Sequence, residues 1–215
     1  MKDNIIEAEY NLTKKSRLLR FYESNKILIY FFAGLVIISL ITFNFYLEYK
    51  ESKKIEISDN YVKGRIHLAN GEKDKALEVL KEVIFSNDST YSTLSLFLLI
   101  NKELIKDHQE LDKLFEHLIK NNKFDEEIKN LLIYKKILSK SNFADESEFL
   151  MEIQPLINSE SLWKPQALLL AGDFFMSKNE NKKAQEFYVE ILTIKNLEKH
   201  LYDQATSKLA YITNE

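Results

Sequence analysis

Four histidines, His67, His108, His117 and His200, are the side chains best suited to ligate a metal or move a proton near neutral pH. Their spacing serves neither purpose. His108 and His117 stand nine residues apart, which on a helix puts them on opposite sides. No HExxH pair or other recognised ligand spacing occurs. The adjacent carboxylates Glu126 and Glu127 lie among lysines and read as a solvated helical face. The sequence has no Gly-rich phosphate loop and no G-x-S-x-G elbow. It has no Cys, which excludes disulfides and thiolate chemistry. The expectation is a protein that is not an enzyme, with no catalytic residues, no cofactor, no metal and no small-molecule substrate. The rival is a catalytic domain whose site has no recognised signature.

The element that decides where any site would stand is "ILIYFFAGLVIISLITFNFYL", residues 27–47. It holds 21 residues without a charge, fourteen of them Ile, Leu, Phe or Val. A helix of that length spans about 31 Å, close to the hydrocarbon thickness of a bilayer. Only Thr42 and Asn44 oppose insertion strongly, and both lie towards one end. A core helix of a soluble bundle is the alternative, but such helices seldom stay apolar all round for this long. A cleaved signal would have a shorter apolar region followed by small residues. Here "NFYLEYKESKK" follows, so the run reads as an uncleaved transmembrane helix surrounded by membrane lipid. Tyr22, Tyr30, Tyr46 and Tyr49 fall in or near the interface zones, where amphipathic rings are favoured.

Within about 13 residues of the span, five basic residues precede it (Lys14, Lys15, Arg17, Arg20, Lys26) and three follow it (Lys50, Lys53, Lys54). That excess puts the N-terminus in the cytoplasm. The rest then lies across the cytoplasmic membrane, in a two-membrane bacterium the periplasm. The expected division is a cytoplasmic segment 1–26, the transmembrane helix 27–47, a stalk 48–55 and a periplasmic domain 56–215. Of the net charge of −3, residues 1–26 contribute +2, from six Lys/Arg and four Asp/Glu, which leaves −5 for the remainder. A mildly acidic domain lacks the electrostatic footprint that holds nucleic-acid phosphates. Four Gly and two Pro are too few for an all-β fold with many tight turns.

After the stalk, helical periodicity dominates and no strand pattern competes with it. "DKALEVLKEVI" sets Ala76, Leu77, Leu80, Val83 and Ile84 on one stripe. "ELDKLFEHLI" and "KKAQEFYVEIL" repeat this arrangement. Gly64 precedes Ala76 by twelve residues, and Gly172 precedes Ala184 by the same interval. Gly71 and Asn179 stand seven residues after each glycine, and both types enter the left-handed conformation that ends a helix. The glycines are 108 residues apart, three periods of 36, which leaves room for two degenerate copies with Leu99 and Lys135 in place of glycine.

This pattern resembles the tetratricopeptide repeat, a pair of antiparallel helices of about 34 residues. Gly64 and Gly172 match the small residue of helix A, Ala76 and Ala184 that of helix B, and Leu80 and Tyr188 the large residue after it. The early Trp and the closing Pro of the family are missing, and an ordinary antiparallel bundle is the alternative. The likeness implies an all-α fold, one N-terminal transmembrane helix followed by a TPR-like helical-repeat solenoid. It also implies a partner-binding groove lined by the A helices. The positions carried over are Tyr61, Arg65 and Leu68, then Leu96, Ile100 and Glu103, then Leu132 and Lys136, and last Leu169, Asp173 and Met176. Trp163, before Lys164–Pro165, is either a packing residue at the start of the last repeat or an exposed aromatic anchor.

A short basic lead with "RLLRFYESNK", one span, an early "GEKDKAL" turn and a late "PLINSESLWKPQALLLAG" occur together. In that combination the chain resembles the YfgM-like family of ancillary SecYEG translocon subunits, tetratricopeptide repeat-like domain proteins. The resemblance implies a single-pass inner-membrane protein facing the periplasm. Its expected partners are the Sec translocon and periplasmic chaperones, in the handling of exported proteins. The alternative is the same kind of scaffold serving another envelope assembly process, cytochrome maturation or cell division.

Overall fold

The computed structural model describes residues 17–213. Lys14 and Lys15, which enter the charge count, and the rest of the stretch 1–16 of the expected cytoplasmic segment lie outside the described residues. Among the described residues the chain is all-helical: α1 (Arg17–Ala69), α2 (Lys73–Phe85), α3 (Ser89–Asn101), α4 (His108–Asn121), α5 (Glu126–Lys140), α6 (Glu146–Ile157), α7 (Lys164–Ser177), α8 (Asn181–Leu192) and α9 (Lys199–Thr213). The chain divides into two units after Ile55.

The first unit is the leading part of α1. It contains a stretch long and apolar enough to cross a membrane, with its side chains uncovered. The polar side chains in that stretch bond to their own helix. Thr42 Oγ1 donates to the carbonyls of Ile38 and Ser39 at 3.0 Å, and Asn44 Nδ2 donates to Leu40 at 2.9 Å. Such back-bonding lowers the cost of a hydroxyl or amide among lipid chains. "YLEYKESKK", polar enough to bend, remains helical within α1.

The second unit starts in the last turns of α1 and runs through α9. Each helix from α2 onward packs on its sequence neighbours, and α2–α4 and α7–α9 also touch. One burial pattern recurs. α2, α4, α6 and α8 each bury their fourth, eighth and eleventh residues: Ala76, Leu80 and Val83; Leu111, Phe115 and Leu118; Phe149, Ile153 and Leu156; Ala184, Tyr188 and Ile191. Steps of four and three keep these side chains on one helical face. The four helices begin at Lys73, His108, Glu146 and Asn181, at intervals of 35, 38 and 35 residues. Leu99 stands twelve residues before Leu111, the interval of the glycine copies, whereas Lys135 stands fourteen before Phe149, so the third copy is misplaced by two residues. Leu99 is buried, whereas Lys135 is exposed and takes no glycine-like place.

Three helix ends are closed in one way. Gly71, Glu103 and Asn179 take φ of 78°, 52° and 61°. The next residue in each case donates its N–H back five positions, Glu72 to His67, Leu104 to Leu99 and Glu180 to Phe175, at 2.9–3.0 Å. This motif satisfies carbonyls that the helix leaves free. Aspartates open three helices. Asp88, Asp107 and Asp145 accept from N–H groups of the first turns of α3, α4 and α6.

Two apolar cores result. Leu80, Leu96, Leu99, Phe115, Leu118 and Leu132 form part of one, and Ile137, Phe149, Ile153, Phe174, Phe175 and Tyr188 part of the other. Phe149 and Phe174 stack with centroids 3.9 Å apart. Glycine is required where α7 meets α8. A Cβ on Gly172 would lie 2.7 Å from Cδ1 and Cζ of the buried Tyr188, and one on Gly64 would lie 2.6 Å from Leu80 Cγ. Neither the pinned ring nor the branch point of the leucine can give way freely.

Gly172→Leu is expected to overpack this contact and cost on the order of 1–3 kcal/mol or more. An open helical glycine would instead gain up to about 1 kcal/mol of propensity. Urea unfolding of the detergent-solubilised chain measures the sign. A neutral or stabilising result contradicts the close approach.

Candidate functional site

The eleven residues expected to line a groove fall into places of different kinds. Leu96 and Leu132 are fully buried and present no surface to a partner, which corrects their assignment. Both are taken up by the first core, together with Leu80, Leu99 and Phe115. Glu103 is exposed but lies past the end of α3, in the left-handed turn. Tyr61, Leu68 and Ile100 are half-buried against the first core, and Leu169 and Met176 against the second. Arg65 is exposed, with its guanidinium 5.9 Å from the centre of the Tyr61 ring, and Tyr61 in turn meets Tyr91 at 5.7 Å. The structure thus gathers Tyr61, Arg65, Leu68 and Ile100 at the first core and Leu169, Asp173 and Met176 at the second.

Asp173 already has partners. Tyr188 Oη donates to its Oδ1 at 2.7 Å, and Lys208 of α9 pairs with it at 2.6 Å. Burial, and then the Asp173 carboxylate, push the Tyr188 phenol far above its ordinary value, so it stays a neutral donor. Asp173 therefore fastens α9 to α7 and α8.

Lys136 belongs to a cluster that the sequence reading did not find. Lys136 and Lys140, on α5, reach two neighbouring helices at once. Lys136 Nζ lies 3.3 Å from Asp112, 3.1 Å from Glu116 and 3.4 Å from Glu152. Lys140 Nζ lies 3.6 Å from Asp112 and 2.7 Å from both Glu148 and Glu152. Only 12% and 13% of the two lysine side chains is exposed. A signal was present in the chain: Asp112/Glu116, Lys136/Lys140 and Glu148/Glu152 are like-charged pairs four apart. Each pair is unfavourable alone on a helix, so partners of opposite sign on neighbouring helices are called for. Burial works to lower both lysine pKa values, but the surrounding carboxylates outweigh it and hold both above the ordinary value.

The seam has a cavity at each end. One, about 510 Å³, is lined by His108, Asp112, Glu116, Lys140, Phe143 and Glu148 among others. The other, about 410 Å³, is lined by Ile119, Ile133, Lys136, Met151, Glu152 and Pro155 among others. Met151 is 70% exposed.

The remaining candidates have local partners. His67 pairs with Glu72 at 2.5 Å, His117 with Asn87 at 2.9 Å and His200 with Glu198 at 3.1 Å, while His108 lies against the Phe143 ring. Among the described residues no group of His, Asp and Glu could hold a metal. Glu127 is more than a solvated carboxylate: its Oε2 accepts from Ser161 Oγ at 2.8 Å and from the Leu162 N–H at 3.2 Å. Trp163 is half-buried and stacks on Tyr134 with centroids 5.7 Å apart, a packing role. No protein-family model, curated protein or solved structure matches the chain.

Lys140→Gln is expected to leave Glu148 without its lysine and Asp112 and Glu152 with Lys136 alone, and to cost on the order of 3 kcal/mol at pH 8. A raised lysine pKa contributes stability that is complete below about pH 10.4 and fades as pH climbs through the folded value. The gap between Lys140→Gln and the parent in urea should therefore narrow above pH 10.5. A gap that is absent at pH 8, or that widens on the alkaline side, contradicts the pairing.

Proposed function

We propose that the chain is a membrane-anchored, non-catalytic scaffold whose second unit is a TPR-like array that binds other proteins. The supporting observation is the repeated burial of the fourth, eighth and eleventh residues in α2, α4, α6 and α8. With it go the two glycines pressed on Leu80 and Tyr188. Stacked helix pairs of this kind expose extended faces suited to protein segments. The shallow, open cavities and the locally satisfied histidines fit a surface that holds partners better than one that turns over a small molecule.

The anchor and the basic residues before it support a single-pass inner-membrane protein with its second unit in the periplasm. The likeness to ancillary translocon subunits supplies the partners: the Sec translocon and periplasmic chaperones, with the scaffold assisting newly exported proteins. Crosslinking in native membranes followed by co-purification tests this reading, with a single-pass protein of similar abundance as control. Translocon subunits and a periplasmic chaperone should be enriched. Their absence, with factors of cytochrome maturation or cell division in their place, would transfer the scaffold to that process. Protease added to spheroplasts should remove the chain after about residue 50. A protected second unit would reverse the topology.

A further inference from the structure

Sulfur chemistry in this chain falls to methionine alone, because it has no Cys. Of the three methionines Met1 lies outside the described residues, which leaves Met151 and Met176. Their surroundings differ. α6 buries Phe149, Ile153 and Leu156, and Met151 stands two residues from each of the first two, on the far side of the helix. Its side chain is 70% exposed. Met176 of α7 is half-buried against the second core. It borders the cavity beside α9, but Tyr188 Oη lies 3.8 Å from its Sδ, so one side of that sulfur is already covered.

Met151 also has a defined neighbourhood. With Ile119 of α4, Ile133 and Ile137 of α5 and Pro155 of its own helix it lines the cavity of about 410 Å³. The two carboxylates and two ammoniums of the same lining balance, so no net charge dominates the site. A thioether suits such a wall, being apolar, unbranched and polarisable. One oxygen on the sulfur changes that, because a sulfoxide is polar. Neither apolar core would be disturbed, since Met151 belongs to neither.

We propose that Met151 is a reversible oxidation site that switches this cavity wall between an apolar and a polar state. The oxidant is a peroxide. A sulfur lone pair attacks one peroxide oxygen, and the S–O bond forms as the O–O bond breaks. Hydroxide leaves and takes the proton of the transferred oxygen, giving water. The sulfur loses two electrons and the peroxide gains them. The return step consumes a dithiol through methionine sulfoxide reductases: the oxygen leaves as water and the dithiol closes to a disulfide. Under the proposed topology the second unit stands in the periplasm, an oxidising compartment. The site is read from the surroundings of the sulfur alone, so it stands or falls separately from the translocon reading.

The test uses the full chain in nanodiscs of saturated zwitterionic lipid. Samples treated with hydrogen peroxide are quenched at intervals, digested and read by mass spectrometry. Met151 should gain oxygen about fivefold faster than Met176 or more, and the two rates should converge in concentrated urea. Methionine sulfoxide reductases A and B with dithiothreitol should return Met151 to the thioether. The chain oxidised at Met151 should keep its melting temperature. In methyl NMR of the Met- and Ile-labelled chain, oxidation should shift Ile119, Ile133 and Ile137 and leave Ile84 and Ile100, at the first core, in place. Met151→Leu should abolish those oxidation-dependent shifts without changing the rate at Met176. The proposal is overturned by equal rates, by a faster Met176, or by a rate difference that persists in urea. It is equally overturned by a sulfoxide that the reductases leave in place, by a melting temperature that falls with oxidation at Met151, or by cavity isoleucines that do not respond.

Discussion

Backbone amides cannot be left unbonded in hydrocarbon, and residues 27–47 offer no charge that would keep them out of it. That constraint leaves the helix as the one local solution for a single segment, because every N–H and C=O is then satisfied within it. α1 meets the demand and goes further, since Thr42 and Asn44 return their polar groups to the same helix. The second unit answers a different problem. It must bury apolar surface in water with short helices that cannot do so alone. Its means is a fixed set of positions repeated in alternate helices.

The repetition is not uniform, and the departures tell what each contact needs. Where glycine stands on the helix before, the fourth residue of the next helix is alanine and the eighth is Leu80 or Tyr188. In the middle helices the fourth residues are Leu111 and Phe149, with Phe115 and Ile153 at the eighth positions. The close glycine contact is thus replaced there by bulkier packing. Between α4 and α6 apolar contact gives way to ion pairs centred on Lys136 and Lys140. Such a seam adds less net stability than an apolar one, yet it is costly to break on one side. It also gives this part of the array a chemical character that the rest lacks.

Much of this was legible in single residues. The all-helical class follows from stripes at steps of three and four, and the left-handed turns from Gly71 and Asn179. The register of the middle helices was not legible, because the turn between α3 and α4 and that between α5 and α6 are longer than the turns that hold Gly71 and Asn179. Leu96 and Leu132, assigned to a surface alongside the half-buried Tyr61, belong to the first core, which their apolar residue type suits equally well. Glu103 carries no sign in its residue type that it adopts a positive φ; the turn imposes it. The ion-paired seam was half legible, as like-charged pairs four apart, but which helices bring them together is a matter of packing. Glu127 shows the same limit, since its acceptors serve a turn more than thirty residues away.

Everything placed on the second unit in the cell presupposes that the first unit holds the chain in a bilayer. Extraction of native membranes with alkaline carbonate tests that claim most directly, since it strips peripheral proteins and leaves inserted helices. The account requires the full-length chain to stay in the membrane pellet, because 21 uncharged, largely aliphatic and aromatic residues insert stably. Recovery of the intact chain in the supernatant would contradict it.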